Sequence, residues 1–275
     1  MHPDLIDFGF IGIKTYGVMM AFGFLTAWVV ASALCRMSGR NATDLQNLLV
    51  YMMLGGVLGA RIAYVIEHWS AEFADNPVMA LRVDKGGLMF YGGLILDLAI
   101  FFIWCRRKGE NVFTLADLVA VVMPLGHAFG RVGCFFYGCC YGKLSDSWCA
   151  VSFPRCSPAW YEQYNSGLIG ANALESLPVL PTQLFEAAAM AVLFLALLSL
   201  YRRRWRTSRG LVAGTYFISY AAWRIVNETM RGDPRAVFLS LTIGQLISLA
   251  IAAAGVALIF HSVRASRKER QSGNG

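Results

Sequence analysis

Apolar runs separated by short polar segments recur along the whole chain. An α-helix needs about 20 mostly apolar residues to cross the hydrocarbon core of a bilayer. Seven stretches meet that length: 15–35, 46–66, 87–105, 113–130, 182–200, 211–227 and 238–260. Glycines interrupt most of them, as membrane helices tolerate for close packing. Gly55, Gly56 and Gly59 have that small-residue spacing. The pattern predicts an all-α integral membrane protein of seven transmembrane helices. It forms one domain over 1–275, with 263–275 a polar, disordered tail.

The polar segments set the expected orientation. Arg36 and Arg40 follow the first stretch, and Arg106, Arg107 and Lys108 the third. Arg202, Arg203, Arg204, Arg206 and Arg209 follow the fifth, and Arg264, Arg267, Lys268 and Arg270 the seventh. Basic clusters in alternate loops mark the cytoplasmic side, so the N-terminus is expected outside and the C-terminus inside. The segments 67–86 and 131–182 then form an outer head. In the first, Trp69 and Phe73 among Glu67, Glu72, Asp75 and Asp84 suggest an interfacial helix, started by Asn76-Pro77. In the second, Trp148, Trp160, Tyr161 and Tyr164 favour an ordered, membrane-touching loop.

Composition agrees. Hydrophobic residues make up 57% of the 275 and charged residues 15%, with mean hydropathy +0.52. That excludes an ordinary soluble domain. The net charge of +7 sits in topology-setting clusters and implies no nucleic-acid partner. The first ten residues lack a basic region, so no cleavable signal peptide is expected. Of the seven cysteines, Cys134, Cys139, Cys140, Cys149 and Cys156 fall outside. An oxidising exterior favours a disulfide among the last four, tying the long loop to the stretch before it. Cys134, Cys139 and Cys140 lack the paired Cys-x-x-Cys spacing of zinc sites, so no metal site is assigned.

The candidate chemistry gathers around Gly130 to Gly142, where Arg131 closes an apolar run. An arginine in such a place is either functional, because it needs a partner there, or a snorkelling residue at a Gly-rich helix end. Arg224, Glu228 and Arg231 are spaced i, i+4, i+7 and would share one helix face, with Tyr220 a turn earlier. Such a stripe makes either a structural ion-pair ladder or an anion clamp, because the guanidinium fork suits a phosphate. His127 precedes Arg131 by four residues and is a candidate general base. Arg61 is a further outer-half arginine, and Gln183 and Glu186 open the fifth stretch as a polar pair. No nucleophile elbow, P-loop or dinucleotide fingerprint occurs.

In order and spacing these segments resemble the prolipoprotein diacylglyceryl transferases. Ile13 to Gly17, containing Tyr16, resembles the family's basic-x-Tyr-Gly opening, and Gly59 to Tyr64 its Gly-x-Arg-x-x-Tyr. Gly86 to Leu94 is similar to Gly-Gly-x-x-Phe-His-Gly-Gly, and Pro181 to Glu186 to Pro-Ser-Gln-Leu-Tyr-Glu. Gly130 to Gly142 occupies the place of the signature Gly-Arg-x-Gly-Asn-Phe-x-Asn-x-Glu-x-x-Gly. Tyr220, Arg224, Glu228 and Arg231-Gly232-Asp233-Pro234 resemble its Tyr-x3-Arg-x3-Glu-x-x-Arg-x-Pro-Asp ending, with Asp-Pro in place of Pro-Asp at the last step.

The resemblance implies a bacterial inner-membrane enzyme that needs no cofactor. It would move the diacylglyceryl group of phosphatidylglycerol to the lipobox cysteine of a preprolipoprotein, releasing glycerol phosphate. Arg131 and Arg224 take the phosphate role. Tyr16, Arg61, Gln183, Glu186, Tyr220, Glu228 and Arg231 are expected to bind substrate. The family's histidine is Tyr91 here, its asparagines are Cys134 and Tyr137, and its signature glutamate is Cys139. The expected base is therefore His127, with Tyr91 at the site. The alternative implied by those departures is an inactive or redirected lipid-binding relative whose cysteines serve structure or redox chemistry.

Overall fold

The computed structural model describes residues 4–7, 12–82, 87–204, 209–235, 237–238 and 240–272. Asp84 and Gly86, the loop residue Arg206 and the last three residues of the expected tail lie outside them. The chain divides into two compact units, Ala31–Leu115 and Met1–Val30 with Ala116–Gly275.

The smaller unit is built on α2 (Ala42–Glu67) and α3 (Phe90–Lys108). Asn41 caps α2, its side chain accepting from the Thr43 amide at 3.0 Å. Gly109 closes α3 with φ +65, a left-handed turn open to glycine. Glycines set the approach of the two helices. A Cβ on Gly59 would lie 2.5 Å from the Gly92 carbonyl, and one on Gly93 2.6 Å from that of Gly56. At the basic end Lys108 pairs with Asp44 at 2.7 Å and Arg40 pairs with Glu110. Among the described residues 67–82 the expected interfacial helix is replaced by two short turns, a wide one (Trp69–Phe73) and a 3-10 helix (Pro77–Leu81) that starts at Asn76-Pro77 as expected, though without a side-chain capping bond from Asn76.

The larger unit holds α4 (Val112–Tyr137) from Ala116 onward, and all of α5 (Pro158–Asn165), α6 (Thr182–Arg204), α7 (Leu211–Met230) and α8 (Ile243–Ser272). Most of α1 (Thr15–Met37) joins it. Two antiparallel ribbons, β1 (Asp4–Asp7) with β2 (Gly12–Lys14) and β3 (Val237–Phe238) with β4 (Leu241–Thr242), precede α1 and α8. The fully buried Asp117 accepts from the Gly210 and Ala213 amides at 2.9 and 2.8 Å. A carboxylate there satisfies orphan donors at the start of α7 and complements its dipole. Between α4 and α6 the chain folds on itself through single bridges, Leu144 and Val151 to Val179 and Pro154 to Glu175. These enclose a small core of Tyr141, Phe153, Ala159 and Val179. The Trp160 indole donates to the Ala173 carbonyl at 2.9 Å.

The structure corrects the number of spans. Among the described residues five helices are long and apolar enough to cross a membrane, not seven: Thr15–Met37, Ala42–Glu67, Val112–Tyr137, Thr182–Arg204 and Ile243–Ser266. The apolar stretches at 87–105 and 211–227 belong to helices that extend into charge. α3 carries Asp97 and ends on Arg106, Arg107 and Lys108, while α7 holds Arg224, Asn227 and Glu228. Such groups are costly in hydrocarbon without partners. α4 also continues to Tyr137. Residues 131–137, expected in an outer head, are therefore the last turns of a spanning helix.

Candidate functional site

Glu186 lies one turn into α6 and is fully buried. A carboxylate there is tolerable only with donors around it. Asn227 of α7 donates Nδ2–H to its Oε2 at 2.8 Å. Arg131 of α4 brings Nε to 3.0 Å from the same oxygen. His127, one turn earlier on α4, places Nε2 at 3.2 Å from Oε1. Arg131 Nε is also 3.1 Å from His127 Nε2.

These contacts compete for one proton position. If His127 Nε2 is bare it accepts from Arg131, and Glu186 Oε1 has no donor. If Nε2 carries the proton it donates to Oε1, and Arg131 keeps Oε2. The second arrangement leaves neither buried carboxylate oxygen unsatisfied, so it is the one the geometry favours. In a neutral ring this tautomer leaves the lone pair on Nδ1. Tyr220 of α7 packs against the His127 ring at 5.5 Å between centroids.

A second cluster adjoins on α7. Arg224 Nη2 is 2.7 Å from Glu228 Oε2, yet off the direction of a hydrogen bond. Arg224 Nη1 is buried with no hydrogen-bond partner among the described residues. Gly244 leaves room for Glu228, since a Cβ there would lie 3.1 Å from its carboxylate. The i, i+4, i+7 stripe does not reach Arg231. α7 ends at Met230, and Arg231 leaves the helix in extended conformation. Its Nε and Nη2 donate to the two Asp233 oxygens at 2.9 and 2.8 Å. Arg235 takes the place expected of Arg231 and donates to Glu228 Oε1. Burial works against the charged forms of Arg231 and Asp233, but their mutual bond outweighs it. The guanidinium is raised further, and the carboxyl is held below its ordinary range.

The stretch after α4 is tied to both clusters. Gly138 and Cys140 adopt left-handed φ of +83 and +62 and reverse the chain. Gln183 donates to the Cys139 carbonyl at 2.7 Å, and Thr182 to the Cys140 carbonyl at 2.9 Å. Lys143 N donates to the Met230 carbonyl at 2.9 Å, and Gly232 N to that of Tyr141 at 3.1 Å. The turn brings the sulfurs of Cys134, Cys139 and Cys140 to within 4.8 Å of one another. Hydrogen bonds from Cys134 and Cys139, together with the nearby Arg231 and Arg131, hold the Cys140 thiol below its ordinary range despite burial. All seven cysteines are free thiols, so the expected disulfide between the long loop and this stretch is absent. Tyr16, at the start of α1, packs on Gly133, where a Cβ would meet its ring at 3.0 Å.

The larger unit thus brings together His127, Arg131, Gln183, Glu186, Tyr220, Arg224, Glu228 and Arg231. Arg61 and Tyr91 belong to the smaller unit. Arg61 is buried and donates to the carbonyls of Ala80 (2.8 Å), Met79 (2.7 Å) and Gly87 (3.1 Å), between the rings of Tyr64 and Phe73. Tyr91 is half-exposed in the first turn of α3. Asn227 and Arg235 escaped the sequence reading. Asn227 had a signal in being an amide inside an apolar stretch. Arg235 had none, because it reaches Glu228 only through the turn after α7.

The model of the family described as prolipoprotein diacylglyceryl transferase matches residues 3–261. The chain is 33% identical to the phosphatidylglycerol–prolipoprotein diacylglyceryl transferase of Stenotrophomonas maltophilia (strain R551-3), over 96% of this chain and 93% of that one. It is 32% identical to those of Xanthomonas oryzae pv. oryzae (strain PXO99A) and Xylella fastidiosa (strain M12). Those matches cover 96% of this chain and 92% and 93% of theirs.

Proposed function

The chain belongs to the prolipoprotein diacylglyceryl transferase family, and from that premise we propose that its reaction is carried by the cluster around Glu186, Arg131 and Arg224. It is a multi-pass membrane enzyme that transfers a diacylglyceryl group from phosphatidylglycerol to a prolipoprotein. The acceptor atom is a cysteine thiol of the lipobox, and the donor is bound by its phosphate.

The observation that carries this reading is the buried, unpartnered Nη1 of Arg224 beside an arginine anchored through Glu186. Glu186 feels both Arg131 and Arg224. It fixes Arg131 through Nε, and Glu228 holds Arg224 through Nη2. The remaining guanidinium donors address one lipid phosphate. Preorganised cations of this kind stabilise the charge that builds on the leaving oxygen.

The thiolate attacks the terminal glyceryl carbon. The carbon–sulfur bond forms as the carbon–oxygen bond to phosphate breaks, and the bonding pair leaves with the phosphate oxygen as glycerol phosphate. The thiol proton goes to His127 Nδ1, the lone pair left when Nε2–H faces Glu186, and from there to the departing phosphate. Tyr220 holds the imidazole from one side. Gln183, Tyr16 and Arg231 bind and shape the path rather than react.

The test is lipidation of a matched lipoprotein acceptor in cells depleted of their own transferase. Wild-type chain is expected to restore it and Arg224→Ala to fail. Equal restoration by Arg224→Ala rules out the phosphate role.

A further inference from the structure

Cys134, Cys139 and Cys140 make a constellation that the transfer reaction does not use. Cys134 sits in the last turn of α4, and the other two follow in the left-handed reversal. Their sulfurs lie within 4.8 Å of one another. Three thiolates at about 2.3 Å from one metal stand about 4 Å apart. Small side-chain rotations therefore close the triangle without moving the backbone.

The surroundings suit such a centre. Gln183 and Thr182 hold the carbonyls of Cys139 and Cys140, which fixes where both side chains start. The Cys139 thiol lies 3.9 Å from the Cys134 carbonyl, turned back toward α4. Arg131 and Arg231 offset the negative charge that three thiolates accumulate. All three residues are partly buried, which limits competing water. Soft thiolate donors with no carboxylate or imidazole among them select Cu(I), Zn(II) and ions like them over hard cations.

We propose that Cys134, Cys139 and Cys140 form a three-thiolate site for one soft metal ion, which clips the end of α4 to the turn that follows it. The thiol protons pass to solvent as the ion binds. The clip holds the turn whose backbone meets Met230 and Arg231, so the ion stabilises the larger unit. The missing Cys-x-x-Cys spacing is no obstacle, because the reversal at Gly138 and Cys140 supplies what that spacing supplies elsewhere.

The experiment is titration of the reduced, purified full chain in detergent with Cd(II), read by sulfur-to-cadmium charge-transfer absorption. One ion per chain is expected. Serine at position 134, 139 or 140 should weaken binding by about tenfold or more, and Cys149→Ser and Cys156→Ser should leave it unchanged. On unmutated protein, Cd(II) should protect those three thiols from alkylation and leave Cys149 and Cys156 reactive, as read by peptide mass spectrometry. Absence of the absorption, binding that survives all three serine substitutions, or protection centred on Cys149 and Cys156 overturns the proposal. Binding is read without activity, so failure here leaves the transferase reading intact, and the converse holds.

Discussion

Arg61 in the smaller unit and Arg224 in the larger one are both largely buried arginines, yet their donors meet different partners. Arg61 sends Nε, Nη1 and Nη2 to three backbone carbonyls and lies between two rings. The Met79 and Ala80 carbonyls cannot leave without unravelling the Pro77–Leu81 turn, so this arginine is an anchor. Arg224 faces carboxylates and keeps Nη1 buried without a partner. On the proposed reading, this unused donor is the one that meets the incoming phosphate. The difference lies in what each guanidinium has left to offer, since burial alone does not separate the two.

The largest effect that bears on this contrast comes from removing the planar fork while keeping the charge. Arg224→Lys and Arg131→Lys are expected to lower the lipidation rate by about 10²-fold with thermal stability little changed. Full rates in both variants would remove the phosphate clamp and make Arg224 as structural as Arg61.

His127→Ala is expected to cost about 10²-fold in the lipidation rate, whereas Tyr91→Phe stays within a few-fold. A dead Tyr91→Phe beside an active His127→Ala would overturn the assignment of the base to His127. Gly244→Ala sharpens the contrast more gently. The new methyl presses on the Glu228 carboxylate and turns Arg224 with it, at a cost of about 1 kcal/mol, or about fivefold in rate. An unchanged rate would mean that Glu228 does not set the aim of Arg224.

The smallest effect on turnover belongs to Arg61→Lys. It gives up directed bonds to carbonyls, so about 2 kcal/mol of stability should go, seen as a lower unfolding midpoint and faster proteolysis near 69–82. The rate per folded molecule should hold. A rate loss without a stability loss would show that Arg61 contacts substrate after all.

By itself the sequence determined the membrane class and the family, and it offered most of the polar residues proposed for the site. Apolar runs must be buried in something, and the types and order of the polar residues within them survive as a readable string. Helical spacing alone correctly paired His127 with Arg131 and Arg224 with Glu228. Tertiary structure decided the rest. The length of an apolar run does not say where its helix stops, so charges at the ends of α3 and α7 reduced seven expected spans to five. The exit of the chain from α7 sent Arg231 to Asp233 and Arg235 to Glu228. Glu186 became the centre because packing brings α4 and α7 to it from 41 and more residues away. A left-handed reversal, announced locally by Gly138 but not at Cys140, gathered three thiols within 4.8 Å. Local pattern fixes which face a side chain occupies, while long-range packing and chain reversals choose what that face meets.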